Sequence, residues 1–411
     1  MSNIFNENLS KYAELVVKVG VNIQKNQFLY ITTSTDALDL ARLITKKAYE
    51  VGARQVFVDL ADDQIGRARY ELAPDDSFDF FPEWKVKERE WLAEQGAAFV
   101  SIVSQSPDLL KGIDSKRIAT FQKAAGTALN KYRQYVQSDK ISWTVIASPS
   151  EAWAEKVFPN LPKEKQVDAL WDAIFKATRS DLDNPVEAWT KHNDTLHEKV
   201  HYLNAKKYAK LHYTAPGTDL TIELPKGHLW CGAGSVNEKG EEFMANMPTE
   251  EVFTVPHKDG VNGYVSSTKP LSYGGNIIDN FKITFENGRI TKVEAEQGEE
   301  VLKNLVATDE GSHRLGEVAL VPHDSPISNS GLLFYNTLFD ENASNHLAIG
   351  SAYAFCLEGG KKMNREELEA NGLNQSITHV DFMIGSAEMN IDGITEDGKT
   401  EPVFRNGNWA F

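Results

Sequence analysis

Glu251, Glu317, Glu341 and Asp381 carry carboxylates, and His346 and His379 carry imidazoles, in stretches whose texture sets them apart from their surroundings. In His313-Arg314-Leu315-Gly316-Glu317-Val318-Ala319-Leu320-Val321, an acid opens an apolar, strand-forming run. Gly316 before it marks a place where another chain segment or a ligand can approach the backbone closely. Pro248-Thr249-Glu250-Glu251-Val252-Phe253-Thr254-Val255-Pro256 repeats the pattern. In His379-Val380-Asp381 a strand would point imidazole and carboxylate to one side, because side chains alternate with period two. In the stretch from Asp340 to His346, Asp340 and Glu341 also suit the cap of a helix beginning at Asn342, and His346 also suits a core position. Taken together, four acids would repel one another unless cations compensate them, and two divalent ions balance four charges. Oxygen and nitrogen ligands without sulfur suit Zn²⁺, Co²⁺ or Mn²⁺, with Mg²⁺ admitted. Two-metal sites hold their ions about 3.5–4 Å apart, lower the pKa of a water and clamp a tetrahedral intermediate. The residues alone thus point to a candidate dinuclear hydrolase.

A second metal pattern competes with the first. His197-Glu198-Lys199-Val200-His201 satisfies HExxH, which places two histidines on one helix face with a glutamate base. Lys199 puts a charge in the middle, and Asn193 and Asp194 flank it, so this helix is expected to be a solvated surface or linker helix. A zincin-type protease remains the alternative reading, beside a non-catalytic peptide-binding protein with a structural metal site.

The elements that must position these residues fall in two halves. A chain of 411 residues suggests about two or three domains. Strand-type runs at Phe28–Thr32, Val56–Val58, Ala98–Val103 and Ser142–Ala147 alternate with helical spacing around Leu40–Ala48, Asp62–Leu72 and Lys116–Val136. Such alternation predicts an α/β domain with a mainly parallel sheet. No glycine-rich phosphate loop follows its strands. A helix over Lys163–Arg179 and the polar break Ser180–Pro185 place the boundary at 184, giving an α/β domain over 1–184 and a second domain over 185–411. After Lys210 the chain reads as short alternating strands, with Asn287-Gly288 as a hairpin turn. That half is expected to be β-rich and mainly antiparallel, as a curled sheet or barrel, and it holds the acids.

A formal net charge of −16 argues against a nucleic-acid partner, whose phosphates need a basic surface. No segment approaches the roughly 18 uninterrupted apolar residues of a membrane helix. The first residues lack the basic and apolar regions of a signal peptide. Cys231 and Cys356 form no CxxC pair and read as reduced thiols of a cytoplasmic protein.

Three stretches carry a resemblance: Asn246–Thr254, His313–Pro322 and Leu338–Gly350, with the turn Gly217-Thr218-Asp219-Leu220 and Ser325-Pro326-Ile327-Ser328 in support. In that order they resemble the thermophilic-type metallo-aminopeptidases. The resemblance implies a cytosolic exopeptidase that removes N-terminal residues with a pair of divalent metals. It puts the metal positions on Glu251, Glu317, His346, His379 and Asp381, with Glu341 a further ligand and Glu317 bridging. It also implies Tyr353 as a donor to the oxyanion, Glu250 or Glu251 as the proton shuttle, peptide substrates with a free N-terminus, and a homodimer.

Overall fold

The structure, a computed structural model, describes residues 3–274 and 276–411. Two units make up the chain: one runs to His192 and takes in Gly234–Pro248, and the other comprises Asn193–Ala233 and Thr249–Phe411. The change from one to the other falls inside the helix Pro185–Lys206.

In the first unit, four strands form a wholly parallel sheet in the order Gln55–Ala61, Phe28–Ser34, Ala98–Val103, Trp143–Ala147. Parallel neighbours need crossovers, and helices supply them; the Asp62 side chain caps the helix Asp63–Leu72 by accepting from the Ile65 N–H. The helical region expected over Lys116–Val136 is two helices, Ser115–Ala128 and Asn130–Gln137, broken at Leu129. Among the described residues, no helix is long and apolar enough to cross a membrane.

The second unit is antiparallel, as its alternating pattern predicts. It holds a nine-stranded and a five-stranded sheet. In the larger sheet, Asn276–Glu286 and Arg289–Gln297 form the expected hairpin. Asn287 and Gly288 both take positive φ, 49° and 79°, which the tight hairpin turn requires and which asparagine and glycine adopt at least cost. The two sheets share one buried core, to which the larger contributes Leu220, Ile222, Phe281 and Ile283 and the smaller Val318, Leu320, Leu347, Ile349 and Phe382.

The five-stranded sheet is the one that carries the acids. Its order is His379–Met383, His346–Gly350, Leu315–Leu320, Val252–Thr254, Cys231–Gly232. Its residues alternate between two faces. Val252, Val318, Leu320, Leu347, Ile349 and Phe382 point into the shared core. The other face is set by register: Glu317 lies opposite Ala348, and Ala348 opposite Asp381. In the adjacent row Phe253 lies opposite Ala319, and Ala319 opposite His346. Gly350 lies opposite His379. Alanine and glycine thus separate the long polar side chains and leave the space into which those chains reach.

A bulge reconciles the two faces. The register of the Glu317 strand shifts between Leu315 and Glu317, so both Leu315 and Val318 enter the core while Glu317 turns to the opposite face. Bulges of this kind re-aim a side chain at the cost of one unpaired residue. Gly316 is that residue, and a methyl group on it would overlap the backbone carbonyls of Gly350 and Ser351. The close approach read from the sequence is therefore made by another chain segment. Gly316→Ala should destabilise the second unit by about 1–3 kcal/mol, the usual cost of forcing atoms into filled space. Urea unfolding followed by intrinsic fluorescence measures it; an unchanged midpoint would mean that the bulge has room to spare.

Candidate metal centre

On the face cleared by Ala319, Ala348 and Gly350, the ligand atoms of two groups of three residues lie within 4.8 Å of one another: Glu251, Glu317 and His346, and Glu317, His379 and Asp381. Glu317 belongs to both. Its Oε1 lies 3.5 Å from His346 Nε2 and its Oε2 lies 3.6 Å from His379 Nε2. Glu251 Oε2 is 3.2 Å from His346 Nε2, and Asp381 Oδ1 is 3.5 Å from His379 Nε2. Ligand atoms on one ion with bonds of about 2.1 Å stand roughly 3.0–3.4 Å apart, close to these separations.

The imidazoles are oriented for the same purpose. His346 Nδ1 is 3.1 Å from the Ser344 carbonyl and His379 Nδ1 is 2.7 Å from the Ser351 carbonyl. A carbonyl only accepts, so each Nδ1 carries a hydrogen, and each Nε2, the nitrogen that faces the carboxylates, is the one open to a proton or a metal ion. Such outer partners fix the tautomer of a metal-binding histidine. Sequence reasoning missed Ser344 and Ser351 because they act through backbone oxygens, which no side-chain pattern reveals.

Electrostatics make this donor set fit divalent cations. Burial raises the Glu317 carboxyl, and the neighbouring charges of Asp381 and Glu251 add to it. Burial disfavours a charged His379, yet Asp381 and Glu317 outweigh it and lift the imidazole to about 9. The same contest at His346, with Glu251 and Glu317 as the carboxylates, ends well above the ordinary range. Asp381 is pulled below its usual value despite burial, because His379 stands beside it. Among the described residues, its buried Oδ1 has no hydrogen-bond partner. A metal-free cluster therefore favours protons on its imidazoles, and a cation bound there would replace them.

The remaining candidates stand around this centre. Glu341 is half-buried, and burial together with Asp381 and Glu251 raises its carboxyl well above the usual range. It is near enough to feel the cluster but belongs to neither group of three. Glu250 is buried, and its backbone N–H donates to Asn342 Oδ1 at 2.8 Å. The Tyr353 ring centre lies 4.9 Å from that of His379. Burial and the charges of Glu317, Asp381, Glu341 and Glu251 hold its phenol well above the ordinary value, so it keeps its proton and can donate. Asp340 has the capping role open to it in the sequence, but on the preceding turn: its carboxylate accepts from Phe334 N and Asn336 N at 2.8 and 3.0 Å.

The HExxH helix is built differently. Leu196, Val200 and Leu203 are buried in the shared core, while Glu198 and His201 are exposed and His197 is half-buried. Neither histidine belongs to a metal-ligand group among the described residues. Lys199 is not solvated as expected: its Nζ donates to the Phe411 carbonyl at 2.7 Å and lies over the Phe411 and Trp409 rings. The helix is a packing element. Cys231 and Cys356 are free thiols, with Cys356 buried and Cys231 packed against the same small apolar cluster.

Known proteins are similar to this chain along nearly their whole length. Aminopeptidase AmpS of Bacillus subtilis is 67% identical over 407 residues, covering 99% of each chain. Aminopeptidase PepS of Streptococcus thermophilus is 50% identical over 407 residues, covering 99% of this chain and 98% of its own. The solved structure of wild-type AmpT from Thermus thermophilus superimposes with a TM-score of 0.94 at 43% identity, covering 99% of this chain and 100% of that one. Residues 5–409 match the family described as thermophilic metalloprotease (M29). With that match and these identities, the chain belongs to the thermophilic metalloprotease (M29) family.

Proposed function

We propose that this protein is a metal-dependent aminopeptidase that releases N-terminal residues from peptides at a dinuclear centre. The observation that carries the dinuclear part is the Glu317 carboxylate, which turns one oxygen toward His346 and the other toward His379. Glu251, Glu317 and His346 would hold one ion, and Glu317, His379 and Asp381 the other, with Glu341 an additional ligand. Zn²⁺ and Co²⁺ suit these nitrogen and oxygen donors, and Mn²⁺ or Mg²⁺ are the harder alternatives. Divalent ions at such a site supply an activated water and a polarised carbonyl.

The chain's own groups account for the rest. The acidic residues attract the free α-ammonium of a peptide, which gives a physical basis for cutting only at the N-terminus. Tyr353 holds its proton and can donate to the oxygen of the scissile carbonyl as negative charge develops there. Glu250 or Glu251 would carry a proton from the attacking water to the leaving amine. The family resemblance extends the reading to a cytoplasmic homodimer, and light scattering should report about twice the chain mass of 45.9 kDa; a monomer at micromolar concentration would contradict it.

Unblocked aminoacyl substrates should be hydrolysed and their N-acetylated counterparts spared, because acetylation removes the charge that the acidic site recognises. Equal rates on both would rule out the exopeptidase reading. Turnover should stop with a strong chelator and return with added Zn²⁺ or Co²⁺. Binding of peptides without turnover in any of these metals would favour a non-catalytic peptide-binding protein instead.

A further inference from the structure

Beside the ligand cluster, three aromatic rings form a wall of which the steps above use only the Tyr353 hydroxyl. The Tyr353 ring, 4.9 Å from His379, stacks on Phe355 with centres 5.2 Å apart and planes 21° apart. Phe253 meets both edge-on, 6.2 Å from Tyr353 and 6.0 Å from Phe355. All three are half-buried. The sheet places the wall where it is: Phe253 lies opposite Ala319, and Ala319 opposite His346, on the face that carries the cluster. Behind the rings, Val255, Cys356, Leu357, Leu368 and Leu373 form a buried apolar cluster. The rings are therefore braced from behind in edge-to-face and stacked contacts of the favourable kind.

Half-exposed aromatic side chains bordering a polar, charged centre are characteristic of ligand sites, where an apolar lining meets a few polar groups. A peptide with its α-ammonium and first carbonyl at the cluster carries its first side chain on the Cα bonded to both. That side chain must lie close to the cluster, and the wall beginning at His379 is apolar surface available to it. We propose that Phe253, Tyr353 and Phe355 form the subsite for the side chain of the N-terminal residue, with Phe253 and Phe355 determining specificity. The subsite accepts aromatic and large aliphatic residues through apolar contact, and it disfavours acidic ones, whose charge would lose its hydration against the rings. This inference rests on the aminopeptidase reading.

The test measures kcat/KM for phenylalanyl, leucyl, alanyl and glutamyl substrates with the full-length, metal-loaded protein and with Phe355→Ala, Phe355→Leu and Phe253→Ala. The wild type should prefer the phenylalanyl and leucyl substrates. Phe355→Ala and Phe253→Ala should lower the phenylalanyl-to-alanyl ratio by about 10–100-fold, the range that a few lost apolar contacts produce. Phe355→Leu should restore the preference for leucyl over alanyl substrate. A purely structural role would depress all substrates in parallel, and ratios unchanged in all three variants would overturn the subsite. Failure of the wild type to hydrolyse any of the four would instead overturn the aminopeptidase reading itself.

Discussion

The centre of this molecule is an electrostatic problem: Glu251, Glu317 and Asp381 crowd two imidazoles on one sheet face, with Glu341 near enough to feel their charge, and Glu251 and Glu317 are almost fully buried. Buried like charges are costly, and each neighbour raises the cost for the next. Glu317 concentrates the problem, since its two oxygens face different histidines. Protons relieve part of it in the metal-free protein, and divalent cations held by these atoms would relieve it more completely.

The fold's contribution is to make that crowding geometrically possible. One face of the five-stranded sheet contributes to the core shared with the nine-stranded sheet, which anchors the backbone. The opposite face is cleared by Ala319, Ala348 and Gly350, so long side chains from neighbouring strands reach a common point. The bulge at Gly316 connects the two requirements, sending Leu315 into the core and Glu317 to the cluster. Backbone carbonyls of Ser344 and Ser351 then set the imidazole tautomers. Packing, register and chemistry thus depend on the same few positions.

Much of this was legible in the sequence where the signal is local. Period-two spacing puts His379 and Asp381 on one side of a strand, and Asn287-Gly288 marks its hairpin because both positions need positive φ. Gly316 announces a close approach. Strand neighbours are a long-range property, and nothing local tells that Ala319 lies beside His346 or Ala348 beside Asp381. The aromatic wall is hidden for the same reason, although Glu251-Val252-Phe253 and Tyr353-Ala354-Phe355 each hold the spacing that would suggest a shared face. The HExxH helix shows the converse. Its local pattern is complete, yet Leu196, Val200 and Leu203 turn it into a core element, and the partner groups that a metal would need are not beside it among the described residues.

The central claim is that one carboxylate serves two ion sites, and metal titration of Glu317→Gln tests it directly. Glutamine preserves shape and one carbonyl oxygen but removes the negative charge and the second anionic donor. Metal-stripped wild-type protein titrated with Zn²⁺ in a calorimeter should bind two equivalents per chain. The variant, with its fold verified by circular dichroism, should lose affinity at both sites together, whereas His379→Ala should weaken mainly one. Two equivalents bound by Glu317→Gln with wild-type affinity would contradict the account, because Glu317 would then bridge nothing.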